Sequence, residues 1–270
     1  MASKKHAAVR VQDFPAHAEV GIDAHAKGIH APRNQLLGAL TLDAYARLAP
    51  ELELVPLRSG DVLYEPHAPL EHLYFPDSCV ASMVRRMNDG SGVEVGTIGF
   101  EGIVGISAVL GARTMPTQCI IQIAGSAWRV ARHALLAAVR QPTMLATDGR
   151  SFSTLLHLYS QAFFEQVAQS AACNRMHSLE QRCARWLLMT HDRAIGDELA
   201  LTQEFLSYML GVRRAGVTEA AGSLQRSGLI NYRHGRIRIR DRSGLEASAC
   251  ECYEVGVRAY ALLLNLPDAA

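Results

Sequence analysis

The chain has 270 residues, of which 49% are hydrophobic and 20% charged, a composition typical of a globular protein with one or two domains. No run of about 18 apolar residues occurs and no apolar segment follows the basic N-terminus, so we expect no membrane span and no secretory signal, and therefore a cytoplasmic protein. The six cysteines include no CxxC pair, and in the cytoplasm we expect them to be reduced thiols.

The net charge of +1 conceals an uneven distribution of charge along the chain. Residues 175–242 contain 12 Arg, no Lys and 7 acidic residues, a net charge of +5, whereas the rest of the chain carries −4. Basic residues concentrated in this way indicate a surface that contacts nucleic acid, although a solvated basic face would give the same count.

The N-terminal segment 1–33 is predicted to be a mobile extension, since it shows no sustained hydrophobic periodicity. It contains His6, His17, His25 and His30, whose spacing fits no pattern of metal ligands, so we expect no metal there.

Residues 34–142 are predicted to form a β-rich domain after one short helix over 36–49. From Leu52 to about Val130, short apolar stretches alternate with turn signals, a pattern typical of a barrel or sandwich. Asp89-Gly90 lies between two such stretches and indicates a hairpin.

Residues 143–173 are predicted to form a long central helix. Phe152, Leu156, Tyr159 and Phe163 follow a 3-4 spacing, which favours the seam of a two-stranded parallel dimer. A single amphipathic helix packed on the β-rich domain would show nearly the same stripe.

Residues 199–230 are predicted to form a helix-turn-helix, and residues 174–270 the domain that contains it. Thr202 suits the N-cap of the first helix, Gly211 suits the turn, and Val217, Ala220, Ala221 and Leu224 give the second helix its buried face. The second helix would then enter the major groove of DNA with its outer face.

The outer face of that helix supplies the predicted base contacts. Arg214 can pair with guanine, Glu219 can accept from cytosine, and Arg213 is better placed toward a phosphate. With Thr202, Gln203 and Thr218, these residues form the predicted DNA-binding set on the two helices.

Residues 232–240 are predicted to form the basic hairpin, or wing, of a winged helix. Ile237 and Ile239 alternate with arginines that include Arg236 and Arg238, so one face is apolar and the other is available to phosphates. A basic edge strand that merely resists aggregation is the alternative.

In this order of elements, the chain resembles the Crp–Fnr family of bacterial transcription regulators over roughly residues 36–245. The resemblance is strongest in Asn174–Leu188 and Leu201–Ile230, and weaker in Leu57–Asp61 and Leu73–Phe75. It implies an α+β protein with an N-terminal cyclic-nucleotide-binding-like β-roll, a long dimerisation helix and a C-terminal winged helix-turn-helix. It also implies a homodimer on a near-palindromic DNA site, contact with RNA polymerase, and an effector site in the β-roll, with a hinge near 173–175.

The chain departs from the family at the phosphate cassette of its cyclic-nucleotide-binding members. Ile106, after Gly105, stands where a carboxylate would hold the ribose, and Thr117 and Gln118 stand where an arginine would hold the phosphate. These four residues mark the predicted effector pocket, but a cyclic diester anion buried there would have no cation, so cyclic AMP is not the expected ligand. Family members that carry an iron–sulfur cluster bind it through N-terminal cysteines. Here no cysteine precedes Cys79, so no cofactor is expected.

A second departure lies in the recognition helix. In the family this helix begins Ser-Arg-Glu and carries a second arginine five residues after the first, and of these residues only Arg214 is retained here. This difference predicts a different operator. After the wing, Cys250-Glu251-Cys252 is consistent with oxidant sensing, with metal binding or with small side chains packed on a short helix over 244–264.

The sequence therefore predicts a DNA-binding regulator and no enzyme, since no catalytic triad, metal pair or phosphate loop can be assembled from its spacing. The alternative is a ligand-binding or protein-interaction module that does not bind DNA specifically.

Overall fold

Two short helices precede the strands, where the sequence predicted one. In the computed structural model, which describes residues 32–264, α1 (Gln35–Gly38) and α2 (Leu42–Leu48) are separate. Between them Leu40 pairs with Ala146 as an isolated bridge, and Thr41 caps α2 by accepting from the Ala44 amide at 3.2 Å. The four N-terminal histidines lie outside the described residues.

Seven antiparallel strands follow and confirm the predicted β-rich unit. They form one three-stranded sheet of order β1-β7-β3 and one four-stranded sheet of order β2-β6-β4-β5. The predicted hairpin is the β4–β5 connection, where Gly90 has a φ of +85°. The strands are β1 (Leu52–Leu57), β2 (Val62–Tyr64), β3 (His72–Pro76), β4 (Val80–Arg86), β5 (Gly92–Ile98), β6 (Gln118–Ile123) and β7 (Gly125–Ala131).

Strand β6 of the four-stranded sheet is buried on both faces. Cys119 and Ile121 of β6 point into the core of the β-roll, while Ile120 between them joins the core of the C-terminal half. This double burial explains why β6 reads as a nearly continuous apolar run, with successive side chains alternating between two cores.

The long helix starts later and ends later than predicted. After α3 (Arg132–Val139), which the sequence reading did not predict, the chain turns until Ser151 caps α4 (Phe152–Met176) by accepting from the Thr154 amide at 3.1 Å.

The predicted dimer seam on α4 is wrong, because its four residues are buried within the same chain. Phe152, Leu156 and Tyr159 are 0% exposed and Phe163 is 8% exposed, all within the β-roll core. The structure therefore favours the alternative of an amphipathic helix packed on the β domain, for which the same 3-4 spacing is required.

The C-terminal half consists of helices around a small antiparallel sheet of order β8-β10-β9. The predicted helix over 244–264 is two helices, because the chain leaves the helical conformation at Ala249. Within residues 32–264, no helix combines the length and hydropathy that a bilayer crossing needs. The elements are α5 (Leu179–His191), β8 (Glu198–Ala200), α6 (Gln203–Leu210), α7 (Arg214–Arg226), β9 (Ile230–Arg233), β10 (Arg236–Ile239), α8 (Arg242–Ser248) and α9 (Cys252–Leu264).

The inward packing of α4 on β5 predicts the effect of a small substitution. A Cβ added at Gly96 would lie 2.6 Å from Cζ of Phe163, so Gly96→Ala should displace that ring and lower the free energy of unfolding by about 1–3 kcal/mol. The measurement is urea unfolding of both proteins. Gly256→Ala on α9 is the control: nothing lies within 4 Å of its Cβ, so it should be neutral or stabilise by about 0.5–1 kcal/mol. Equal stability of Gly96→Ala and the parent would contradict this packing.

Candidate nucleic-acid interface

The turn between α6 and α7 is formed by the residues that the sequence predicted for it. The Thr202 hydroxyl accepts from the Phe205 amide at 3.1 Å and caps α6. Gly211 ends α6 with a φ of +64°, and a Cβ there would lie 3.0 Å from Cγ2 of Val93. Both its conformation and its close contact with β5 therefore require glycine.

Helix α7 buries one face and exposes the other. The predicted inner residues Val217, Ala220, Ala221 and Leu224 are all at most 5% exposed and belong to the second core. The outer face begins at the N-terminal end of the helix and carries Arg214, Ala215, Thr218, Glu219, Gly222 and Arg226.

Three of the predicted contact residues are joined by hydrogen bonds. The Thr218 hydroxyl lies 3.1 Å from Oε1 of Gln203 and 3.0 Å from the carbonyl of Arg214, and it can donate to either. Nε of Arg214 donates to the same Gln203 oxygen at 3.5 Å. The first residue of α6 thus orients side chains on α7.

Arg213 and Glu219 lie apart from this network and are exposed. Arg213 is the N-cap of α7 but makes no capping bond through its side chain. The N-terminus of α7 therefore lacks a side-chain acceptor of its own, an arrangement that favours an anion such as a phosphate.

A groove extends from this network to the hairpin, along residues that the sequence reading missed. Oε1 of Gln225 accepts from the Tyr232 amide at 2.6 Å, and the Tyr232 hydroxyl donates to the Leu201 carbonyl at 2.9 Å. With His234, these side chains line the groove. Gln225 lies seven residues after Thr218, so helical periodicity alone would have placed it on the same face.

The β9–β10 hairpin has the predicted tip and the predicted alternation. His234 and Gly235 both have positive φ, +50° and +73°, as a tight two-residue hairpin turn requires. Ile237 is 0% exposed, whereas Arg236 and Arg238 are exposed. Arg236 already has an anionic partner, since its Nη1 lies 2.6 Å from Oε1 of Glu198 on β8.

The four residues of the predicted effector pocket lie around the end of β2. A Cβ at Gly105 would lie 2.8 Å from Oη of Tyr64, and Ile106 is only 8% exposed. On the other side Thr117 precedes Gln118, whose Nε2 donates to Oε2 of Glu65 at 3.0 Å. A tyrosine hydroxyl thus lies beside Gly105, and a carboxylate lies beside Gln118.

Comparison with known proteins agrees with this geometry. Residues 181–248 match the model of the Crp-like helix-turn-helix domain. The sequence has no detectable match among curated proteins.

Several solved structures that share this fold are bacterial regulators, each with low sequence identity to this chain. A transcriptional regulator of the Crp/Fnr family from Eubacterium rectale is 16% identical, with a TM-score of 0.60 over 80% of this chain and 97% of its own. FixK2 from Bradyrhizobium japonicum is 17% identical, with a TM-score of 0.60 over 74% of this chain and 98% of its own. The c-di-GMP-responsive regulator CLP of Xanthomonas campestris is 14% identical, with a TM-score of 0.56 over 74% of this chain and 99% of its own. The predicted resemblance and fold class are confirmed.

Proposed function

We propose that this chain, which carries a Crp-like helix-turn-helix domain within the fold of Crp/Fnr regulators, is a sequence-specific transcription regulator that binds a near-palindromic DNA site as a homodimer. We divide it into a β-roll (34–142), a central helical segment (143–173) and a DNA-binding domain (174–270), after an N-terminal extension (1–33). RNA polymerase is the expected protein partner at the promoter.

The observation that carries the proposal is the outer face of α7. Its residues Arg214, Thr218 and Glu219 are exposed, while the opposite face is anchored in a core. Arginine offers two donors in the geometry of guanine O6 and N7, and glutamate accepts from the cytosine amino group. The Gln203 side chain restricts Arg214 and Thr218 before any DNA arrives, which reduces the entropy lost on binding.

The wing and the N-terminus of α7 supply contacts that do not depend on sequence. Arg238 is exposed on the cationic face of β10, and Arg213 is the N-cap of α7 without a capping bond from its side chain. Such groups position a protein on the phosphate backbone without reading bases. Arg236 contributes less, because it must first release Glu198.

A different face of α4 from the one first predicted supports the homodimer. Its exposed residues also follow a 3-4 spacing, and they lie opposite the side that packs on β5. Phe164 is 64% exposed there, and the alanines that follow it on this face would allow two helices to approach closely. The seam residues that we propose are His157, Gln161, Phe164, Ala168, Ala171 and Arg175.

The effector pocket does not favour a cyclic nucleotide. Nε2 of Gln118 donates to the carboxylate of Glu65 at 3.0 Å, and the Arg85 guanidinium donates to the Pro116 carbonyl at 3.1 Å. Because that carboxylate would repel a buried phosphate diester, we propose that control is exerted by another signal.

Base reading by Arg214 can be separated from phosphate contact by Arg238. Arg214→Ala should lose about 1–3 kcal/mol of discrimination at one base pair of the operator, measured against single-base variants of a site selected from random DNA. Arg238→Ala, the matched control, should weaken all sequences about equally. It should reduce the dependence of log Kd on log salt concentration by roughly 1.8, about 0.9 for each subunit of the dimer. Equal affinity of the parent protein for every duplex would favour a module that does not bind DNA specifically.

The reassigned dimer face predicts the effect of a charge at Phe164. Phe164→Glu should give a folded monomer in sedimentation velocity, because two carboxylates would face each other in the apolar seam. Leu110→Glu is the control, since Leu110 is 59% exposed on the β-roll, and it should leave the dimer intact. A Phe164→Glu protein that remains dimeric would refute this seam.

Cyclic AMP should not stabilise the protein. A ligand at 100 times its Kd adds about 2.7 kcal/mol to stability, which thermal unfolding detects as a rise of several degrees in Tm. We expect no change in Tm at millimolar cyclic AMP. A protein that is known to bind cyclic AMP is the positive control, and its Tm should rise. A rise in the Tm of this chain would contradict the proposal that another signal controls the protein.

A further inference from the structure

Four side chains from distant parts of the sequence converge where α4 meets α9. Cys173 lies in the last turn of α4, and His177 is its C-cap. Cys250 lies in the break between α8 and α9, and Cys252 is the first residue of α9. The helix-turn-helix and the wing lie between the two pairs in sequence, so only the folded chain brings them together.

The spacing of these groups is that of ligands to a single ion. Sγ of Cys173 lies 3.5 Å from Sγ of Cys250, and Sγ of Cys252 lies 3.5 Å from Nδ1 of His177. The four ligand atoms all lie within 4.8 Å of one another. A tetrahedral zinc ion with its usual bond lengths spaces sulfur and nitrogen ligands roughly 3.5–3.8 Å apart.

The site is closed to solvent and already orders its histidine. The three cysteines are at most 4% exposed and form a small cluster separate from the two main cores. Nε2 of His177 lies 3.2 Å from the carboxylate of Glu251, which directs Nδ1 toward the cysteines. A carboxylate in this position fixes the tautomer of metal-binding histidines. Gln169 adds a donor, its Nε2 lying 2.9 Å from Sγ of Cys252.

We propose that Cys173, His177, Cys250 and Cys252 bind one thiolate-preferring divalent cation of the zinc class, which fastens α9 to the end of α4. On binding, the three thiols release their protons to solvent, the neutral imidazole donates its Nδ1 lone pair, and Nε2–H remains with Glu251. Four protein ligands leave no open position, so the site is structural rather than catalytic. It lies at the hinge expected between the central helix and the DNA-binding domain.

Three soft sulfur ligands and one imidazole select against the hard cations magnesium and calcium, which prefer oxygen. A disulfide is the competing use of the same cysteines. In this structure the Cys173 and Cys250 sulfurs are 3.5 Å apart, whereas a disulfide bond measures about 2.05 Å.

Full-length protein, purified under reducing conditions, should contain about one zinc ion per chain by elemental analysis. Cobalt added to the chelator-treated protein should give the intense visible bands and thiolate charge-transfer absorption of a tetrahedral site. Cys250→Ser and Cys252→Ser should each lose most of the zinc and these bands. Glu251→Gln, which alters only the support of His177, should weaken cobalt affinity by about 10–100-fold.

Cys183→Ala is the matched control, because Cys183 is also fully buried but packs in the second core away from this cluster. It should retain one zinc ion and the parent cobalt spectrum. Three results would overturn the proposal: an absence of saturable cobalt binding by the parent, equal metal loss in Cys183→Ala, or a Cys173–Cys250 disulfide found by mass spectrometry in reductant-treated protein. None of these measurements depends on DNA binding.

Discussion

The buried ion pair between Arg193 and Glu101 holds the two halves of the chain in one arrangement. Nε of Arg193, just beyond α5, lies 2.8 Å from the carboxylate of Glu101, in the turn after β5, and both side chains are less than a tenth exposed. Burial alone would lower the pKa of Arg193, but the Glu101 carboxylate raises it overall. Loss of either partner would leave a buried charge, at a cost of about 3–5 kcal/mol. The orientation of α7 relative to the β-roll therefore depends on this pair.

Around the ion pair, buried hydrogen bonds and close packing join the four-stranded sheet to α5 and α6. The Gln122 amide donates to the Thr190 hydroxyl at 2.6 Å, and the Trp186 indole donates to Glu94 at 2.9 Å. Burial raises the pKa of Glu94, although hydrogen bonds from its neighbours oppose the shift. Gly92 allows the Tyr208 ring of α6 to pack directly on β5. A signal that deforms the four-stranded sheet would therefore be transmitted directly to the helix-turn-helix.

The sequence was sufficient for features that depend on local periodicity and capping, and insufficient for those that depend on which surfaces meet. Thr202, Gly211 and the buried face of α7 could be predicted because each follows from helix geometry alone. The predicted seam through Phe163 was wrong. An apolar stripe of 3-4 spacing shows that one face of a helix is buried, but it does not show whether that face packs on the same chain or on a second one. Cys173 and Cys250 could not be paired at all, since 77 residues separate them and only the packing of α9 on α4 brings them together.

The shared oxygen of Gln203 has a consequence for how operators for this protein would vary. Arg214 and Thr218 both contact that one acceptor, so a base change that draws one of them away also alters the position of the other. The energies of substitutions at the two corresponding base pairs should then fail to add, as they do for any residues in one hydrogen-bond network. A scoring matrix that treats operator positions as independent would misjudge these sites, and naturally occurring sites should show the two positions changing together.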